Sequence, residues 1–178
     1  CCTSSNAVKI LKSFSTDKPI LFVPDRNLGS WAAQQSGKKV ITWDGYCVVH
    51  QYGFSEEDVL TVKSKYPDYK LLVHPECDPQ IIKYADLVVS TGGMVDWVKN
   101  NDKAIIATEI GLTEYLQHIY PEKSLIPLSP KAICKNMKKT TLENVYNALK
   151  YNQYVISVEP NTAQKARKAI NRMLELSR

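Results

Sequence analysis

The chain has 178 residues, 44% of them apolar, and a formal net charge of +5. That is enough for one globular domain plus part of another. Lys and Arg are spread without a long basic run, which suits anionic small molecules at least as well as nucleic acid, and no apolar stretch approaches the about 18 residues of a membrane span, so neither a nucleic-acid nor a membrane partner is expected.

In chain order, Cys1-Cys2-Thr3-Ser4-Ser5 opens the sequence without a methionine and reads like the inside of a βα turn, so a fragment of a longer protein is expected, with a helix over 7–14. Apolar runs rich in Val and Ile predict strands over 20–23, 40–43, 70–73, 87–89, 104–107, 124–126 and 154–157. Between them lie helical patterns. Ser55 is a suitable N-cap, with Glu56, Glu57 and Asp58 in the first turn against the helix dipole, for a helix to about residue 66. Thr140 or Thr141 can cap another through Leu142, Val145 and Leu149. Pro160 suits a first helical position, and Ala163, Ala166, Ile170, Met173 and Leu174 follow at helical steps. Alternation of this kind predicts an α/β fold built from repeated three-layer α/β/α units around short parallel sheets. No Pro-, Gly- or Ser-rich linker is present, so boundaries fall within compact loops. The expected division is 1–47 as the second half of an α/β domain, 48–134 as a complete one and 135–178 as a C-terminal helical extension.

Two segments share one plan. One opens at Ile20, passes Asp25 at the end of its apolar run and closes on Cys47; the other opens at Ala104, passes Glu109 and closes on Cys134. Cys47 and Cys134, about 87 residues apart, thus occupy equivalent places in a repeat, and an earlier copy would carry its own cysteine upstream of residue 1. Each cysteine alone reads as a buried core thiol. Equivalent thiolates from repeats arranged about a common axis suit an iron–sulfur cluster or zinc. The absence of CxxC and HxxxH pairs argues against a zinc site built from local ligands. Cys77, in a different loop, is not expected to be a ligand, nor are Cys1 and Cys2.

In parallel α/β sheets ligands collect beyond the carboxyl ends of strands. The residues there are polar: Pro24-Asp25-Arg26-Asn27, Asp44-Gly45-Tyr46-Cys47, His74-Pro75-Glu76-Cys77, Ser90-Thr91-Gly92-Gly93 and Thr108-Glu109. Ser90-Thr91-Gly92-Gly93 and Thr3-Ser4-Ser5-Asn6 can each hold an anion at a helix start, or be no more than a helix cap. His74 and Glu76, set on either side of a proline, can move protons at neutral pH, or His74 can be a structural hydrogen-bonder. The same alternatives stand for His50. His118 sits within a helical pattern without polar companions, and the lysines around Cys134 read as a solvated face or as an attraction for anions.

Seven ordered motifs resemble one family: Cys-Thr-Ser-Ser-Asn-Ala at 2–7, Pro-Asp-Arg-Asn-Leu-Gly at 24–29, Gly-Tyr-Cys-Val-Val-His at 45–50, His-Pro-Glu-Cys at 74–77, Ser-Thr-Gly-Gly-Met at 90–94, Ala-Thr-Glu-Ile-Gly at 107–111 and Cys-Lys-Asn-Met-Lys at 134–138. Together they resemble the quinolinate synthases of NAD biosynthesis. The resemblance implies three α/β domains related by pseudo-threefold symmetry, each giving one cysteine to a [4Fe–4S] cluster whose fourth iron acts as a Lewis acid. It implies condensation of iminoaspartate with dihydroxyacetone phosphate to quinolinate, with loss of water and phosphate. It also implies a cytoplasmic location and L-aspartate oxidase or aspartate dehydrogenase as supplier of iminoaspartate. By position, Cys47 and Cys134 would be cluster ligands. Ser4, with Ser5 as its neighbour in the motif, and Thr91 would hold substrate carboxylate or phosphate groups. His74, Pro75 and Glu76 would line the substrate, Glu76 as general base and His74 orienting or donating a proton, with His50 nearby. The family's first domain and half of its second have no counterpart here, so the chain alone is expected to be inactive. Two other classes compete: a non-catalytic α/β module that binds phosphorylated metabolites, and a Rossmann-type transferase. The absence of GxGxxG and GxxxxGK[ST] speaks against the last.

Overall fold

The computed structural model describes residues 1–15 and 17–178. They divide into two compact units, Cys2–Ile133 and Cys134–Arg178 joined by Cys1.

In the larger unit the order is α1 (Ala7–Lys12), β1 (Ile20–Phe22), α2 (Arg26–Ser36), β2 (Val40–Thr42), α3 (Val48–Tyr52), α4 (Glu56–Lys65), β3 (Lys70–Val73), α5 (Pro79–Ile82), β4 (Leu87–Val88), α6 (Thr91–Lys99), β5 (Lys103–Ala107), α7 (Ile110–Ile119) and β6 (Ser124–Pro127). All strand pairings are parallel, in a two-stranded sheet β1-β2 and a four-stranded sheet β4-β3-β5-β6. The expected α/β class is what the chain adopts.

Composition explains which strands are central. Leu71, Leu72 and Val73 in β3 and Ala104 to Ala107 in β5 are unbroken apolar runs and are fully buried, as strands covered on both faces must be. One face of that sheet packs against α6 and α7 through Met94, Val98 and Leu116, which join Leu72, Ala104, Ile106 and Leu125 in the main core. A smaller core of Ala7, Leu11, Phe22, Leu28 and Ala32 sits at β1, α1 and α2. There α2 lies close to its sheet, since a Cβ on Gly29 would stand 2.8 Å from both Phe22 and Thr42 side-chain atoms.

Helix starts follow the cap residues. Ser55 and Asp58 form a reciprocal capping box at α4, and Asp25, Asp78, Ser90 and Glu109 each accept an amide hydrogen at the start of α2, α5, α6 and α7.

The repeat is visible in the geometry. Segment β1-α2-β2 matches β5-α7-β6, each a parallel pair joined through an acid-capped helix. Arg26, just after the first acid, donates its N–H to the Gly45 carbonyl at 2.8 Å; Ile110, just after the second, donates to the Ala132 carbonyl at 2.9 Å. Gly45 and Ala132 each stand two residues before a repeat cysteine. The surroundings differ, because β5 pairs with β3 on its other side whereas β1 pairs only with β2 among the described residues.

The smaller unit holds a single turn at Met137–Lys139, α8 (Leu142–Tyr151) and α9 (Pro160–Ser177). Thr141, not Thr140, caps α8 together with Asn144, and Pro160 is the first residue of α9 after the cap Glu159. The strand expected over 154–157 does not form. Val155, Ile156 and Val158 are exposed, Tyr154 has φ of 61°, and among the described residues no strand pairs with this segment to take up its backbone groups. Apolar β-branched residues do not make a strand without a partner ladder. Among the described residues no helix is long and apolar enough to cross a membrane.

Candidate functional site

Asp25 ends the loop after β1, and its buried carboxylate fastens two elements at once. Oδ1 accepts the Leu28 N–H at 2.8 Å and Oδ2 accepts the Cys47 N–H at 2.9 Å. The loop after β2 is thereby held to the start of α2, with Cys47 as the cap residue of the short helix α3. One turn on, the same helix carries His50, which is buried.

Two strand ends supply the partners of His50. Its Nδ1 lies 3.1 Å from Glu76 Oε2 in the loop after β3, and its Nε2 lies 2.9 Å from Oγ1 of Thr108, directly after β5. Its ring stacks on that of His74, with centroids 4.5 Å apart and planes 15° from parallel. His74 continues the sheet ladder by donating its N–H to the Ala107 carbonyl at 3.1 Å. Behind Glu76, its own N–H donates to His74 Nδ1 at 3.3 Å, and its carbonyl accepts from Asn27 Nδ2 at 3.0 Å. Asn27 also donates to Gln51 Oε1 at 2.9 Å, and Gln51 in turn donates to Asp78. Each chemical side chain is therefore oriented by a partner on a different element, as a pre-organised site requires.

Electrostatics divides the two imidazoles. Burial alone would lower His50, but the Cys47 thiol and the Glu76 carboxylate outweigh it and raise its pKa to about 9. The hydrogen bond to His50 in turn lowers Glu76 and leads the causes that lower Cys47. His74 is driven down to about 4, first by burial and then by the positive charge on His50. At neutral pH His50 is an imidazolium beside carboxylate, and His74 is neutral. Because His74 Nδ1 accepts from the Glu76 amide, its proton is assigned to Nε2.

A hollow of about 350 Å³ is lined by Pro24, Asp25, Trp43, Gly45, Cys47 and Glu76, with Tyr46 at its side. A second, of about 400 Å³, is lined by Ser4, Ser5, Trp31, Ser90, Gly92 and Gly93 among others. The fold thus gathers the Thr-Ser-Ser and Ser-Thr-Gly-Gly motifs at one depression, and Cys47 and Glu76 at another. Thr91 is the exposed first residue of α6, Pro75 is buried between His74 and Glu76, and Cys134 lies half-buried in the smaller unit. Cys77 is sealed in the core, where burial pushes its thiol up and its Sγ faces the Ala107 carbonyl at 3.6 Å.

The donor chemistry at Cys47 fits a thiolate-bound metal group. Its amide is fixed, its thiol pKa is lowered and it borders an open hollow, the surroundings in which a cysteine ligates. Sequence reasoning placed Asp25, Asn27 and Thr108 at strand ends but gave them no role in the site. Their position was the available signal; which of them reach Cys47, His50 and Glu76 depends on how separate loops meet.

The sequence matches the family described as quinolinate synthetase A protein, NadA, over residues 1–175. The chain belongs to this family. It is 48% identical over 179 aligned positions to a quinolinate synthase of Caldicellulosiruptor saccharolyticus, covering 99% of this chain and 58% of that protein. Similar figures hold for quinolinate synthases of Methanoregula boonei, at 45% identity over 99% of this chain, and Pyrococcus abyssi, at 44% over 98%, each again covering 58% of the relative. The chain thus spans little more than half the length of these curated relatives. As members of this family they carry the name of an enzyme.

Proposed function

We propose that this chain is part of a quinolinate synthase, which joins iminoaspartate to dihydroxyacetone phosphate and releases water and phosphate, in the cytoplasm and in the service of NAD biosynthesis. The observation that carries the reading is the convergence of Glu76, His50, His74 and Cys47 beyond the strand ends, on a chain of this family.

Cys47 and Cys134 are the residues of this chain that would hold a [4Fe–4S] cluster, the third thiolate coming from outside it. Bound there, the cluster supplies a Lewis acid for dehydration. The residues present do the rest. Glu76, a carboxylate at neutral pH, is the base that removes a proton from carbon or nitrogen of the substrate, and imidazolium His50, already protonated on both ring nitrogens, holds that carboxylate in place and keeps it ionised. Thr108 holds His50 from its far side and so sets the direction of Nδ1. His74, neutral and carrying hydrogen on Nε2, orients a substrate oxygen by donating a hydrogen bond, a role that suits a low pKa better than proton donation. Pro75 fixes the backbone between them. Ser4 and Thr91, with Ser5 and Ser90 alongside, hold carboxylate or phosphate oxygens through hydroxyls and the amides at the start of α6. Iminoaspartate would be delivered by L-aspartate oxidase or aspartate dehydrogenase.

The test is quinolinate formation from the two substrates by a protein that contains this chain at the relatives' length. Glu76→Gln should lower kcat by at least about 100-fold with cluster content unchanged, since loss of a general base costs that much. Turnover at the parent rate would refute the role of Glu76. The 178-residue chain alone should form no quinolinate.

A further inference from the structure

The sheet β1-β2 is covered on one face only. Its inner face turns Phe22, with Ile20 and Val40 beside it, into the small core formed with α1 and α2. Its outer face carries Leu21 and Ile41, which stand opposite each other in the ladder, with Val23 and Trp43 at the next alternate positions, and all four are more than half exposed. Large apolar side chains gathered on one open sheet face mark an interaction surface. Leu21, Val23 and Ile41 lie outside both hollows described above.

Backbone hydrogen bonds identify the open edge. Ile20 donates its N–H to the Lys39 carbonyl at 2.8 Å, and the Phe22 carbonyl accepts from Trp43 at 2.9 Å, so both residues turn towards β2. Alternation in a parallel ladder turns Leu21 and Val23 the other way, where no strand stands among the described residues. The second copy repeats this ladder and continues it. There the Ile106 carbonyl accepts from Leu128 at 2.9 Å on the β6 side, and the next carbonyl, that of Ala107, accepts from His74 at 3.1 Å on the β3 side. Val23 follows Phe22 as Ala107 follows Ile106. With β3 in place the outer face of that copy is sealed, for Leu71, Val73, Ile105 and Ala107 are fully buried.

We propose that the free edge of β1 accepts a further parallel strand in the register that β3 holds against β5, and that a helix joined to this strand covers Leu21, Ile41 and Trp43. The occupant is polypeptide that the relatives possess and this chain lacks. This chain spans 58% of the length of each relative compared above, so such polypeptide exists in them. The repeat says where it enters: β3 opens at Lys70 and β5 at Lys103, and the same spacing before Ile20 falls outside the chain. A parallel neighbour also needs a long crossover, which a short added turn does not supply. The competing occupant is a second copy of this chain, because an open apolar edge is a template for self-pairing. The inference rests on family membership and on the repeat and is independent of the reaction proposed above.

Residue-resolved hydrogen exchange tests it in two proteins, the 178-residue chain and a protein that contains this chain at the relatives' length. The Leu21 amide should exchange at least about 100-fold more slowly in the longer protein, while Leu72 and Ile106 are protected in both. Leu21→Asp should leave the unfolding midpoint of the 178-residue chain in place and lower that of the longer protein. Fast exchange at Leu21 in the longer protein would overturn the proposal, whether or not the variant folds. So would protection of Leu21 in the 178-residue chain that rises with its concentration alongside dimer formation in analytical ultracentrifugation, which would assign the edge to a second copy.

Discussion

His74 sits beneath an imidazolium and inside the fold, and both conditions oppose its protonation. Its pKa falls from the usual 6.5 to about 4, so between these values an unfolded chain binds a proton that the folded one refuses. Stability that is fully present above pH 6.5 is therefore lost as pH falls towards 4, and Glu76, whose pKa is also lowered, loses stability in the same direction. Denaturant unfolding at pH 7 and pH 4.5 should show this drop, and His74→Asn should make it smaller; an equal drop in the variant would contradict the assignment. At this scale the sequence was partly legible. A histidine and an acid flanking a proline after an apolar run are visible as a motif, and so is Cys47 three residues before His50. That His50 faces Glu76 and Thr108 at once depends on the register of β3 against β5, in which Val73 lies beside Ala107. No local pattern encodes that register.

Among the elements, the two copies of strand, helix and strand have alike interiors and unlike surroundings. Ile105 in the second copy is 0% exposed, whereas Leu21, at the matching place in the first, is 68% exposed, and Ile41, its partner across the sheet, is 57% exposed. Parallel sheets occur with both faces covered, and a two-stranded one has little stability of its own. Leu21→Ala in this chain should thus change unfolding free energy by no more than about 0.5 kcal/mol. Ile105→Ala should cost about 2–5 kcal/mol. Equal costs in chemical denaturation would show that the two copies are equally packed. Strands and caps were legible here because apolar runs and acidic or hydroxyl caps are local signals: β3 spans 70–73 as expected, and Ser55 and Pro160 stand where helices begin. The segment 154–157 misled because a β-branched run states a preference, while a strand needs a neighbour.

For the whole molecule, the repeat of an acid-capped helix followed by a cysteine gives Cys47 and Cys134 equivalent chain positions. We propose that these serve one [4Fe–4S] cluster in a three-domain protein with pseudo-threefold symmetry, and that this chain supplies two of its three thiolates. Family membership was legible because seven motifs occur in order. The most direct measurement is iron and acid-labile sulfide in anaerobically purified protein of the relatives' full length. About four iron and four sulfide per polypeptide are expected. Cys47→Ser and Cys134→Ser should each reduce both sharply. Full iron and sulfide in either variant would contradict the account.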